Sequence, residues 1–494
     1  MKLEFQNHNE VYVVEQTLMA LLPDQKPLYD PIDKAIDEDW AVIALAQTAD
    51  MATVTVEMCY QGNRLATPVV WSAELSGSDY EKVGQRRRGI SKGFFKAVQA
   101  LTGIQPAWGS LTGVRPDKVA QKYLAQGLSQ EDTITALETD YFVTPERARL
   151  ATETGVWGRH AKADLQDARD IALYVGIPFC PTRCTYCSFV SASVERSFDM
   201  VPPYVDALIA EMKAGAALCK RQNLRPRSFY MGGGTPTTLN PEQLDAVLTC
   251  LEQSFDLTHC AEITVEAGRP DTITPEKLAV LKAHNVSRVS VNPQTMEANV
   301  LAGIGRRHSV ADIVSAMEMV NAYDFPHVNM DLIAGLPDDT VEGFCRSLDA
   351  CIGFGVDNIT VHTLSIKKGS TLLETKANLP APEAVAQMLA YANTQLRGAD
   401  FAPYYLYRQK YMSGSFENVG WIQKDGACLY NIHIMSELCT IFSFGASGST
   451  KLVGKPNARM ERCFNHKFPA EYINHPEKWQ QNHAMVEDFY AALD

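Results

Sequence analysis

Hydrophobic and polar positions along this chain follow a rhythm that changes once, near residue 170. Before that point the apolar spacings are mixed. Strands are predicted at 11–14, 40–46 and 54–60, and helices at 90–101, 115–125, 130–138 and 145–157, with a turn-rich link over 108–116. Beyond it, short β-branched and apolar runs at 171–177, 228–231, 261–266, 287–292, 327–333 and 358–364 alternate with helical patterns at 203–222, 241–254, 275–285, 310–322 and 340–352. Strands that alternate with helices predict parallel βα units, because a parallel neighbour is reached only through a crossover. The expected fold class is α/β. A partial (β/α)6 barrel occupies 166–374, after an N-terminal α+β domain over 1–165. A mostly helical or irregular C-terminal region over 375–494 follows, with a helix near 384–397. In such folds the loops at the carboxyl ends of the strands carry the chemistry.

Composition narrows the classes. A chain of 494 residues is too long for one compact core, and 46% hydrophobic with 21% charged residues is ordinary for a globular protein. The formal charge of −13 argues against non-specific nucleic-acid binding, which depends on neutralising phosphates. The basic run Arg86–Arg88 breaks that trend and reads as a solvated helix face, with a substrate-carboxylate site as the sharper alternative. No run approaches the ~20 apolar residues of a membrane span, and no apolar signal core follows Met1, so a cytoplasmic location is expected. Nine of the twelve cysteines are scattered without framework spacing, as in a reducing compartment.

The other three change the picture. Cys180, Cys184 and Cys187 form a Cys-x3-Cys-x2-Cys loop just past the strand at 171–177, broken open by Pro178 and Pro181. Zinc usually takes four ligands, and neither a second Cys-x2-Cys nor a nearby histidine is present. Three cysteines packed as small hydrophobes are the plainer alternative, but the Pro, Arg and Thr between them suit an open loop better than a core. A 4Fe–4S cluster has four irons, so three thiolates leave one iron open to a further ligand.

The later strand ends supply polar groups for such a ligand. After the second comes Gly232-Gly233-Gly234-Thr235-Pro236, where missing Cβ atoms let backbone approach a ligand. Glu266 ends the third and suits an ammonium group. Gln294 follows the fourth and offers both donors and acceptors. Arg306 lies downstream and suits a carboxylate. Asp331 sits at the fifth and can take ribose hydroxyls. Taken singly, each reads equally well as a surface ion pair or a cap. Taken together, they describe S-adenosylmethionine.

On these residues the chain resembles a radical S-adenosylmethionine protein of the oxygen-independent coproporphyrinogen III oxidase (coproporphyrinogen dehydrogenase) family, HemZ type. Tyr174, the cysteine loop, the glycine run, Glu266, Gln294, Arg306 and Asp331-Leu-Ile-Ala-Gly-Leu-Pro337 match in order, and the segments 111–116 and 403–409 are also similar. The resemblance implies that Cys180, Cys184 and Cys187 ligate the cluster and that Tyr174, Gly233 and Glu266 contact one S-adenosylmethionine. Tyr186, Gly234, Thr235, Gln294, Arg306 and Asp331 would line the space for a second one, or for substrate. It implies reductive cleavage of the cofactor to a 5′-deoxyadenosyl radical and hydrogen removal from two propionates of coproporphyrinogen III. Loss of carbon dioxide and an electron from each then gives protoporphyrinogen IX. Implied partners are the tetrapyrrole substrate and a low-potential electron donor, a flavodoxin or ferredoxin. Arg183, Arg307, Arg408 and Lys410 are basic candidates for docking the propionates.

Two departures stand out. The best-understood oxidases carry a fourth cysteine two residues after the third; here that position is Phe189. A sister group of haem chaperones also lacks it and carries a haem-binding histidine later in the chain, where Glu417 stands here. The alternative functions are therefore a haem-binding chaperone and another radical tetrapyrrole reaction, such as anaerobic haem degradation.

Overall fold

The computed structural model describes residues 1–189, 191–367, 369–374, 377–409, 416–454 and 460–493. The chain divides into two compact units, Met1–Pro116 with Lys122–Thr152, and Asp117–Gln121 with Glu153–Asp494.

The first unit is α+β. Strands Lys2–Gln6, Trp40–Gln47 and Met51–Tyr60 lie side by side, and Val69–Glu74 pairs the far side of Met51–Tyr60. Helix Asp79–Thr102 opens with a Ser78/Glu81 capping box and covers the sheet with Ile90, Phe94, Phe95 and Val98. The strand expected at 11–14 is instead the start of helix Val11–Leu21. Its buried residues are Val14, Thr17, Leu18 and Leu21, spaced three and four apart as one helical face. Packing of that stripe outweighs the strand preference of Val11, Val13 and Val14. Arg86 and Arg87 form ion pairs with Glu10 at 2.6 and 2.7 Å, so the basic run belongs to a helix face.

The second unit is built on an eleven-stranded sheet. Its centre is six parallel strands in chain order: Asp170–Ile177, Arg225–Gly233, Glu262–Gly268, Arg288–Gln294, His327–Ala334 and Asn358–Thr363. These are referred to below as the first to sixth strands. They are the six expected from the pattern, and the helices between them are Val201–Arg221, Pro241–Ser254, Pro275–Ala283, Val310–Ala322 and Val341–Gly353. The sheet does not close on itself. Residues past 375 are richer in strand than their pattern announces. Ala402–Arg408 and Glu417–Ile422 extend the sixth-strand side antiparallel, while Thr440–Phe444 adds parallel to the first strand and is followed by Ser449–Leu452 and Glu461–Phe464.

Residues 426–436 bond to the amino-end parts of the second, third, fourth and sixth strands. Arg288 Nη2 and Asn358 Nδ2 donate to Gly426 O at 2.7 and 3.0 Å. Glu262 accepts from the Leu429 N–H at 3.1 Å and from the Cys428 thiol at 3.0 Å. Helix Leu429–Ser436 places His433 against Ser228 Oγ at 3.2 Å. No helix among the described residues is long and apolar enough to cross a membrane.

Candidate active site

The carboxyl ends of the strands surround a cavity of about 360 Å³. Cys180, Cys184 and Cys187 all line it. So do Tyr186, Gly233, Gly234 and Thr235, and so do Glu266, Gln294, Arg306 and Asp331. Of the residues expected to hold the cluster or the cofactor, Tyr174 does not line it. It lies beneath, in a stack of rings with Tyr430 (centroids 5.9 Å) and with Tyr230, a cavity residue 4.6 Å from Tyr430.

The cysteine loop is held by backbone rather than by its own packing. Phe179–Cys180 pairs with Ala192–Ser193, and the Cys187 N–H donates to Cys184 O at 3.2 Å. The carbonyl of Thr185 accepts from Ser370 Oγ at 2.8 Å and from the Leu372 N–H at 3.2 Å, while its N–H donates to Ile304 O at 3.0 Å. All three thiols are free of disulfides. Burial pushes Cys187 up to about 11 and raises Cys180 as well. Among the described residues no three such side chains converge on a single-ion position.

The glycine run serves the loop. The Gly234 and Thr235 N–H groups donate to Ile177 O and Phe179 O at 2.8 and 2.7 Å. A Cβ on Gly234 would stand 2.5 Å from Phe179 O, and Gly233 has φ +110°, open to glycine alone at low cost. These glycines let the second strand end seat against the backbone that carries Cys180. Thr235 Oγ1 lies 3.5 Å from Cys180 Sγ as a donor.

The polar wall is poised for a ligand. Glu266 is half-buried on the cavity wall and accepts from Tyr230 Oη at 2.5 Å. Burial, assisted by the nearby Asp331 carboxylate, raises Glu266 to about 7 despite that bond and His362. Asp331 accepts from Asn329 Nδ2 at 2.8 Å and faces His362 Nε2 at 3.7 Å. Gln294 sits where the register of the fourth strand shifts, at φ +71°, a conformation that costs a non-glycine residue roughly 1–2 kcal/mol. Its Oε1 is buried without a hydrogen-bond partner, an unmet acceptor on the cavity wall. Arg306 is 7% exposed and donates to Asn292 O at 2.5 Å and Tyr186 Oη at 3.3 Å.

Sequence reasoning missed Tyr230, Asn329, His362, Tyr405 and Tyr407, all of which line the cavity. The period of two would have found several. Asn329, Asp331 and Ile333 alternate along one strand, and Thr360 and His362 along the next. Of the basic candidates, Arg183 donates to Gly369 O at 2.5 Å, and Arg408 is buried in register with Glu417, its charge disfavoured by burial down to about 10. Neither Arg307 nor Arg408 lines the cavity, and Lys410 lies outside the described residues. Phe189 is at the mouth, 68% exposed. Glu417 is buried, and its neighbour Asn418 reaches the cavity instead.

Comparison with known proteins agrees with this geometry. Residues 174–351 match the Radical SAM superfamily. The oxygen-independent coproporphyrinogen-III oxidase-like protein HemZ of Bacillus subtilis is 36% identical over 434 residues, 87% of this chain and 86% of that protein. The heme chaperone HemW of Mycobacterium tuberculosis is 31% identical over 265 residues, 53% of this chain and 64% of that protein. Among solved structures, the radical SAM enzyme coproporphyrinogen III oxidase (HemN) from Escherichia coli is similar with a TM-score of 0.52 at 21% identity. That likeness covers 66% of this chain and 73% of that one, and it shows the fold.

Proposed function

The chain belongs to the radical S-adenosylmethionine superfamily and, within it, to the oxygen-independent coproporphyrinogen-III oxidase-like family of HemZ type, and from that premise we propose that it decarboxylates propionates of coproporphyrinogen III oxidatively to vinyl groups. The observation that carries this reading is the gathering of three free thiols, an unmet buried acceptor and two facing carboxyls around one cavity. Each propionate gives up one hydrogen atom, one electron and carbon dioxide, and two such steps make protoporphyrinogen IX.

Cys180, Cys184 and Cys187 would hold three irons of a 4Fe–4S cluster. Glu266, Gln294, Arg306 and Asp331 would hold S-adenosylmethionine, one or two molecules, with Tyr186, Gly233, Gly234 and Thr235 shaping the space and Tyr174 supporting it from below. When bound, the cluster and cofactor supply a one-electron cleavage that produces a carbon radical able to take hydrogen from an unactivated carbon. The chain's residues bind, orient and exclude water. Glu266 is held at the edge of ionisation by burial and by Asp331, so a ligand ammonium returns it to the charged form. Arg306 keeps Tyr186 and Asn292 in place beneath Cys184. A low-potential one-electron donor for cofactor cleavage and a one-electron acceptor for the electron that each propionate releases complete the partners.

The chaperone reading has less support. Glu417 replaces the haem-binding histidine of that group and is buried off the cavity lining. The deciding experiment is anaerobic reconstitution followed by reductant, S-adenosylmethionine and coproporphyrinogen III, with porphyrins followed by mass spectrometry. Singly or doubly decarboxylated product supports the oxidase. Accumulation of 5′-deoxyadenosine alone, with stable haem binding, overturns it.

A further inference from the structure

We propose that Arg269 is a positioning residue that clamps the cysteine loop and tunes the cluster held there. The proposal rests on the reading of Cys180, Cys184 and Cys187 as cluster ligands. Arg269 follows the third strand directly and is 3% exposed on the cavity wall. Its Nε and Nη2 donate to the two carboxylate oxygens of Asp271 at 3.0 Å each. Nη1 reaches across the rim to Thr182, donating to Oγ1 at 2.7 Å and to the carbonyl at 3.2 Å. Thr182 is the middle residue between Cys180 and Cys184, and its hydroxyl passes the contact on to Gly305 O at 3.2 Å. Asp271 is itself backed by the buried His308, whose Nδ1 lies 3.4 Å away.

A local ion pair two residues apart accounts for Nε and Nη2 only. It leaves unexplained why the remaining donors are aimed at a segment 87 residues earlier in the chain. A guanidinium can do both, since its planar fork grips a carboxylate with one edge and frees Nη1; a lysine ammonium cannot. Burying a cation costs several kcal/mol unless its donors are bonded, which favours a single fixed orientation. Iron–sulfur potentials respond to nearby charge, to hydrogen bonding and to exposure. A buried cation sharing the cavity wall with Cys180 favours the added electron, although Asp271 offsets part of its field.

The test uses the full-length chain, reconstituted anaerobically without substrate, as wild type, Arg269→Gln, Arg269→Lys and Thr182→Val. Iron and sulfide content, the midpoint potential and the electron paramagnetic resonance spectrum of the reduced cluster are read for each. Arg269→Gln should retain iron, shift its midpoint to more negative potential and change the spectrum. Its rate of S-adenosylmethionine cleavage should fall by roughly 10- to 100-fold, the usual penalty for losing an outer-shell partner. Arg269→Lys, which keeps the charge but not the fork, should change the spectrum with a smaller shift in potential. An Arg269→Gln protein that is folded by circular dichroism and unchanged in both potential and spectrum overturns the proposal. If that variant does not fold, Thr182→Val decides on the same spectrum, and no change there overturns it. A wild-type chain that takes up no cluster would instead sink the ligand assignment, which is a separate failure.

Discussion

Glu262 and Glu266 stand four residues apart on the same strand, and they lead opposite lives. Glu262 lies at the amino end, where Arg288, the Cys428 thiol and the Leu429 N–H meet it from within the chain. Glu266 lies at the carboxyl end, where its company is one tyrosine hydroxyl, a repelling aspartate and His362. The same contrast holds for the two ends of the whole barrel. Residues 426–436 bond to four of the strands at the amino end, while the carboxyl end keeps a cavity, a buried unpartnered Gln294 oxygen and three free thiols. A buried polar group left unmet costs about 1–3 kcal/mol, and both ends carry some, Arg288 Nε and Nη1 and Asn358 Oδ1 at the amino end and Gln294 Oε1 at the carboxyl end; of these, only the Gln294 oxygen lies on the cavity wall, where something from outside can meet it.

Substitutions at the two ends should therefore fail in different ways. The largest effect is expected for Cys184→Ala, which should abolish both the brown cluster absorbance and cofactor cleavage. Cluster retention in that variant would break the assignment of the carboxyl end. Next comes the matched pair of glutamates. Glu262→Gln should lower unfolding stability in denaturant by about 3–5 kcal/mol, the usual result of breaking a buried ion pair. Glu266→Gln should leave stability within about 1 kcal/mol while cutting cofactor cleavage by roughly 100-fold. Equal loss of stability in both would erase the distinction between the ends.

A smaller effect is expected from Glu211, a buried carboxylate outside the site that accepts from Tyr472, Asn465 and the Gly445 N–H. Burial raises it from 4.5 to about 7 in spite of these bonds. The folded chain then holds a proton that the unfolded chain releases. Its contribution is present below 4.5, is lost as pH rises to 7 and stays level above that, amounting to roughly 2–4 kcal/mol. His433 and His483, depressed by burial to about 4, act in the other direction, losing stability as pH falls below 6.5. The difference between the wild-type and Glu211→Gln profiles isolates the carboxylate, and identical profiles would refute its shift. The smallest effect is expected at the mouth. Phe189→Cys should leave the iron content per chain unchanged, because that side chain is exposed at the rim rather than set among the three thiols.

Legibility followed burial. The six central strands were readable because each carries buried β-branched and apolar residues in a short run between helical patterns. The Cys-x3-Cys-x2-Cys spacing was readable because the three cysteines lie within eight residues of one another in the chain. Helix Val11–Leu21 was misread because four β-branched or aromatic residues open it, and only its packed face discloses the period. Strands Lys2–Gln6 and Val69–Glu74 escaped notice because they are short and largely half-exposed or exposed, although the alternation along them is itself a strand signal. The Tyr404–Tyr405–Tyr407 segment gave no hint that it forms a strand beside Glu417–Ile422, since pairing between distant segments leaves no local signature.

By itself, then, the sequence determined the order of the parallel strands, the cysteine loop and the polar residue at each strand end, because local spacing dictates all three. Tertiary structure decided which of those residues share a cavity. It left Tyr174 in a ring stack below, buried Arg408 and Glu417 in the sheet extension, and brought Arg269 across the rim to Thr182. Such meetings depend on how the strands twist and on what fills the opposite end of the barrel, and neither is written in the spacing of neighbouring residues.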